Sequence, residues 1–186
     1  MQTVEEVRSA LQGDGDVPVT SVAALVRLAI EDGRTMLAEH PNVTPDYSVW
    51  WMRDTIERSC AACLAGAVML GTLDGFGKHR LDNCDVVDSH GLGIMYRPHQ
   101  VSALCAIDRV RQGNIMGAYR ALKMREAVDV HAIDRLLVRR HRRDPEHGAR
   151  PKHMCFVNRD DFSDHLDSLD ELAGQLEVIE AEGVPA

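Results

Sequence analysis

Five stretches of this 186-residue chain carry residue types whose spacing could do chemistry. Cys60-x-x-Cys63 has the spacing of half a zinc site or of a redox dithiol. GTLDGFGKH, residues 71–79, has the outline of a phosphate-cradling loop. Asp129-x-His131-x-x-Asp134 and Asp164-His165-x-Asp167 place imidazole beside carboxylates, the groups of acid–base work or metal ligation. RLLVRRHRRD, from Arg135, concentrates guanidinium groups suited to carboxylate or phosphate.

The cysteine pair reads best as packing. A strong zinc signature has a second close pair. Here the remaining partners are Cys84 and a loose downstream set, His147, His153 and Cys155. Redox dithiols open a helix that follows a strand, where the helix dipole lowers the thiol pKa. The flanks here, Ala61, Ala62 and Leu64 to Leu70, are apolar or small nearly all round. That pattern describes a buried helix in which Cys acts as a small hydrophobe. No metal site and no cofactor is expected.

The phosphate-loop outline fails on spacing. Thr72 stands where the first glycine belongs, and His79 where a hydroxyl should meet magnesium. Gly91-Leu92-Gly93 carries no more than a turn. His131 and Asp134 share a helix face, but nine histidines among 29 acids produce such neighbours by chance. No nucleophile elbow and no HExxH is present, so an enzyme is the weaker expectation.

The arginine run is the strongest charge feature. Arg135, Arg139 and Arg142 recur at helical spacing, with Arg140 and Arg143 beside them. Residues 101–158 carry 12 basic and 6 acidic groups, whereas 159–186 carry 1 and 9. Cations at a helix C-terminus also suit the macrodipole, and an acidic last helix alongside would neutralise them. As a working surface, Arg135, Arg139, Arg140, Arg142 and Arg143 form the candidate partner-binding site, with an acidic protein as the expected partner. Nucleic acid is the alternative. The net charge of −8 and the lack of interleaved aromatics weigh against it.

These groups must be positioned by helices. Apolar residues make up 45% of the chain and aromatics 4%, so aliphatics, Ala and Met must fill the core. No apolar run reaches the roughly 18 residues of a membrane span. The opening MQTVEEVRSALQGDGD lacks the basic and apolar regions of a signal peptide, and five scattered cysteines read as reduced thiols. A cytoplasmic protein, with no membrane partner, is therefore expected.

After a short first helix and a breaker-rich loop at 12–19, Thr20 or Ser21 caps a helix to Glu39, stopped by His40-Pro41. A connector carries Trp50 and Trp51. The cysteine helix should run from Asp54 to Leu73. Residues 74–98 read as an irregular Gly-rich loop, with Cys84-Asp-Val-Val its one β-like run. Helices at 98–111 and 114–127 should pair across the Gly113 break. A further helix covers 129–142. The last starts at Asp160 or Asp161, with Phe162, Leu166, Leu169, Leu172, Ala173, Leu176 and Ile179 along one side. The expected fold is all-α. It is a single domain, residues 1–186, of about six helices around the buried Cys60–Leu73 helix, with the acidic helix 159–186 docked on it.

WW-x(8)-CAACLAGAVMLGTL, followed by VSALCAIDRVRQGNIMGAYRAL, resembles a group of short uncharacterised phage and prophage proteins. Those share a tryptophan-bearing approach, a Cys-x-x-Cys-Leu-Ala-Gly-Ala helix and a later helix ending in Arg and Gly. The matching positions are Trp50 or Trp51, Cys60, Cys63 to Ala67, and then Leu104, Ala106, Ile107, Asp108, Arg111 and Gly113. The likeness spans about residues 50–122 and leaves out the basic helix and acidic tail. It implies a phage source and no particular activity. Together with the segregated charge, it leads to the expectation of a phage accessory protein that binds a host macromolecule, with inhibition of a defence or transcription component as the role.

Overall fold

A computed structural model describes residues 1–13, 17–47, 50–54, 59–74, 86–87, 96–143 and 158–183. For 52–54, 59–61, 74, 86–87 and 141–143 it describes the backbone alone. The fold is built from helices, seven of them α-helical among the described residues, as the sequence led us to expect. A small four-stranded sheet is added to them.

Helix α1, Val4–Gln12, is opened by a capping box. Thr3 Oγ1 accepts the Glu6 amide at 3.2 Å and Glu6 Oε2 accepts the Thr3 amide at 2.7 Å, so two orphan donors are satisfied reciprocally. Helix α2, Val22–Glu39, starts with Ser21 accepting from the Ala24 amide and ends before Pro41. It is the true centre of the molecule. Its first nine residues are buried except Arg27, and α1, the 64–74 segment and the last helix all pack on it.

The expected helix from Asp54 is a correction. Residues Trp51–Asp54 form strand β2 and Ser59–Ala62 form strand β3. Strand β3 pairs antiparallel with β2 and parallel with β1, Val43–Pro45. Helix α3 starts only at Leu64, runs to Val68 and continues as a π-helix from Met69 to Asp74. Ser-Cys-Ala-Ala has no period-two alternation of large and small side chains, so neither a strand nor a helix is written in it. The pairing of both edges with β1 and β2 decides the matter. Burial was read correctly: Ala62 to Leu70 are all buried.

The tryptophan connector is what sets α3 in place. Trp51 is fully buried, and the Trp50 carbonyl accepts the Cys63 amide at 3.3 Å. That carbonyl then lies on Gly66, where an added Cβ would fall 1.8 Å from the oxygen. Only glycine permits this approach.

Strand β4, Val86–Val87, pairs antiparallel with β2, giving the order β1-β3-β2-β4. It lies in the one β-like run of the Gly-rich region. Residues 75–85 and 88–95, with GFG, Lys78, His79, Cys84 and Gly91 to Gly93, lie outside the described residues.

Helices α4, Pro98–Arg111, and α5, Ile115–Ala121, pack as a pair across Gly113, whose φ is 74°. Asn114 caps α5 by accepting from the Gly117 amide at 2.8 Å. Helix α5 stops six residues earlier than expected, with Lys123 at φ 59° and a 3-10 turn at Arg125–Ala127. Helix α6 covers Val130–Arg143. Helix α7 covers Arg159–Glu182, and every residue of its expected stripe is buried.

That stripe lies mainly on α2. Burying each large side chain contributes roughly 1.5–3 kcal/mol. Polar contacts rim the seam. Arg27 bonds Asp170 and Glu177, and Arg34 bonds Asp167 at 2.8 Å. Arg159 donates to the Val43 and Leu37 carbonyls. Among the described side chains, the carboxylates of the tail therefore pair with α2. No described helix is long and apolar enough to cross a membrane.

Candidate functional site

The basic face of α6 is built by an amphipathic helix. Ile133 and Leu136 turn inward and are buried, which leaves Arg135 and Arg139 exposed and Arg140 half-buried. The start of the helix is held by Asp129, whose carboxylate accepts the His131 amide at 2.9 Å. Amide bonds to Ala132 and His131, with Arg135 nearby, hold that carboxyl below its usual range, the Ala132 amide contributing most.

The arginines do different jobs. Arg140 reaches across to α7, donating to Ser168 Oγ at 2.9 Å, the Ser168 carbonyl at 3.1 Å and Gln175 Oε1 at 3.4 Å. It clasps α6 to α7. Arg139 donates its Nε–H to the Arg135 carbonyl at 3.3 Å, which orients the guanidinium along the helix. Arg135, with its side chain 63% exposed, lies 3.5 Å from Asp129. Arg142 and Arg143 complete the helix backbone; their side chains lie outside the described residues.

Between α6 and α7 runs a groove of about 340 Å³. Its apolar wall comes from Ala132, Leu136, Val178 and Ile179, and Val178 is 57% exposed. Arg135, Arg139 and Arg140 lie along one side. Gln175 and Glu182 stand on the other, so the cationic wall faces one carboxylate. Guanidinium groups beside an apolar floor can hold a carboxylate or phosphate while a neighbouring aliphatic group is buried.

The other sequence candidates fare differently in the fold. Cys60 pairs in β3 with Val43 and Arg53, whereas Cys63 opens α3 and is fully buried. The two cysteines thus belong to different elements. Burial pushes the Cys63 thiol up to about 11, against the opposing pull of the Gly66 amide. His147, His153 and Cys155 lie outside the described residues. His131 and Asp134 are both exposed on α6. The second acid–histidine cluster is divided among structural partners. His165 Nδ1 meets the Tyr47 hydroxyl at 2.7 Å, and Asp167 answers Arg34. No cluster of three or more metal-ligating side chains occurs among the described residues.

Three polar clusters were not foreseen. Tyr47 stacks under Arg111, 5.2 Å from guanidinium to ring centroid, and packs beside Phe162 and His165. Its phenol is pushed up, chiefly by burial. Asp32, buried in α2, accepts from Arg8 Nη1 at 3.0 Å and from Thr72 Oγ1 of the π-helix at 2.6 Å. Burial raises its carboxyl while Thr72 and Arg8 oppose the shift. Glu180 of α7 takes the Ser21 hydroxyl, the Val22 and Ala23 amides and the Tyr119 hydroxyl. Each cluster joins residues far apart in the chain. The only local hint is a charged or hydroxyl residue on the edge of an apolar stripe, as with His165 between Phe162 and Leu166. Compared with family models, with curated proteins and with solved structures, the chain matches none.

Proposed function

We propose that the protein is a small cytoplasmic binding protein, of phage origin, that captures an acidic segment of a host macromolecule through the α6 face. The observation that carries this reading is the arginine-walled groove. Arg135 and Arg139 are exposed on the rim of an apolar cavity that α6 and α7 enclose together. Arg140 is already committed to Ser168 and Gln175, so it ties together the two helices that line the groove. The likeness to phage proteins supports the source. The commitment of His165 to Tyr47 and of Asp167 to Arg34 favours a structural role for that cluster over catalysis. We propose inhibition of a host defence or transcription component as the role of such a capture.

The test compares wild type with Arg135→Glu/Arg139→Glu in affinity purification from host-cell lysate. Unfolding midpoints of the two proteins are measured in parallel. One defined protein retained by wild type and lost by a stable double variant is the expected result. Equal retention by both would refute the reading. Strongly salt-dependent retention of DNA or RNA in place of a protein would turn it toward nucleic acid.

A further inference from the structure

The groove has two kinds of wall, and each selects a different part of a ligand. We infer that its occupant is an acidic peptide segment with one aliphatic anchor side chain, the anchor entering between α6 and α7 and flanking carboxylates meeting Arg135 and Arg139. This rests on the reading of the α6 face as a binding surface and names the chemistry of what binds there.

Charge complementarity fixes the flanks. The cationic groups lie on one side only, along α6, in a chain whose net charge is −8. A carboxylate accepts two parallel N–H bonds from one guanidinium, which fixes its position as well as its charge. Glu182 on the opposite side repels an anion placed across the whole groove. Charge is therefore welcome along α6 and unwelcome along α7.

Size and polarity fix the anchor. About 340 Å³ lies at the lower end of the roughly 300–1,000 Å³ typical of ligand pockets. The floor of Leu136 and Ile179 offers no group to bond a base edge or a sugar. Val178 stays 57% exposed on the α7 side, an aliphatic surface that an entering side chain would cover. A nucleic-acid backbone would place charge along both walls and leave this floor unused.

The experiment measures binding of fluorescent 12-residue peptides to the full chain by anisotropy. One peptide carries a central Leu among glutamates. A second carries Ala there at the same charge. Tighter binding of the Leu peptide by about tenfold is expected, the size of one aliphatic side chain leaving water. Val178→Gln, a neutral change at an exposed position of the groove wall, should reduce that difference, and a difference it leaves untouched would overturn the anchor. Arg135→Glu/Arg139→Glu should weaken both peptides. Equal, arginine-dependent binding of the two peptides would overturn the anchor and leave the acidic-partner reading standing. Binding of neither peptide, or binding indifferent to the arginines, would overturn both. A single-stranded oligonucleotide that displaces the Leu peptide more strongly than unlabelled Leu peptide would do the same.

Discussion

Glu180 caps α2 from the far end of the chain, its Oε1 accepting the Val22 amide at 2.8 Å. The same oxygen takes the Ala23 amide, and Oε2 takes the Ser21 hydroxyl. Ser21 meanwhile serves the Ala24 amide. The orphan donors at the start of the central helix are thus shared between a local serine and a remote carboxylate, which the helix dipole also favours. Tyr119 adds a fourth donor, and burial with the facing carboxylate raises its phenol. Removing the carboxylate strands buried donors on α2. Glu180→Ala should cost about 2–3 kcal/mol in urea unfolding. Glu180→Gln keeps an acceptor without the charge and should cost about half as much. Equal costs would mean that the charge carries the whole cap, and no cost for Gln would mean that charge contributes nothing to it.

Gly66→Ala tests the seating of α3. The new Cβ would meet the Trp50 carbonyl, held in place by the Cys63 amide and the sheet behind it. Neither side can yield without shifting β2 or α3. A cost of at least about 3 kcal/mol is expected, at the upper end for overpacking. Ala67→Gly, one residue on in the same helix, loses a methyl group and backbone propensity and should cost about 1–2 kcal/mol. Thermal melts of the two variants rank the effects, and a reversed order would place Trp50 elsewhere.

The helices that could be read beforehand are those whose own sequence contains the whole signal. Helix α2 has a capping serine, an apolar stripe and a terminal proline, and its bounds were found to within a residue. The stripe of α7 was likewise visible because seven apolar residues recur at helical spacing. The strand at Ser59–Ala62 was hidden because small side chains fit either period, and strand pairing with Val43 and Trp51 is a long-range event. At the candidate site the arginines were legible as a helical cluster. The division of labour among them was not, because Arg140 takes its role from Ser168, 28 residues away. The groove itself was hidden for the same reason: it belongs to two helices.

That division makes a prediction of its own. Arg139→Ala should change stability by no more than about 0.5 kcal/mol, as for exposed surface positions. Arg140→Ala removes bonds to Ser168 and Gln175 and should cost about 1 kcal/mol. Differential scanning of both variants checks this. A larger loss at Arg139 would make it part of the clasp and remove it from the binding surface.

The seam between α2 and α7 should depend on burial and little on charge. Leu169 is 5% exposed, while the pairs of Arg27 with Asp170 and Glu177 are partly exposed, that of Arg34 with Asp167 is open to solvent, and each contributes about 0–1 kcal/mol. Leu169→Asp should release α7 and expose a proteolytic site near residue 159. Raising salt should not. Arg27 holds the Glu177 carboxyl below its ordinary 4.5, so that pair stabilises above this value and fades as pH falls through the depressed one. Cleavage of the unaltered protein at high salt and neutral pH would show that charge holds the helix.

Cys63 supplies a pH signature of the buried start of α3. Its thiol is pushed up to about 11, while the unfolded chain's would titrate near 9. Between those values the unfolded state releases a proton that the folded state keeps. Fewer protons bound in the unfolded state means stability falls as pH rises. The loss attributable to this one group should reach about 1 kcal/mol by pH 10. Tyr47 and Tyr119, also raised by burial, add losses of the same sign at higher pH. Comparison with Cys63→Ala isolates the thiol. The variant should start less stable by about 1–2 kcal/mol at pH 8, through lost packing, and close part of that gap by pH 10. Urea unfolding at the two pH values measures both differences. Alkylation gives a second reading, since iodoacetamide should modify Cys63 only as the protein unfolds. Rapid labelling in the native state at pH 8, with a gap between the proteins that does not change with pH, would place the thiol in solvent and reopen the question of its chemistry.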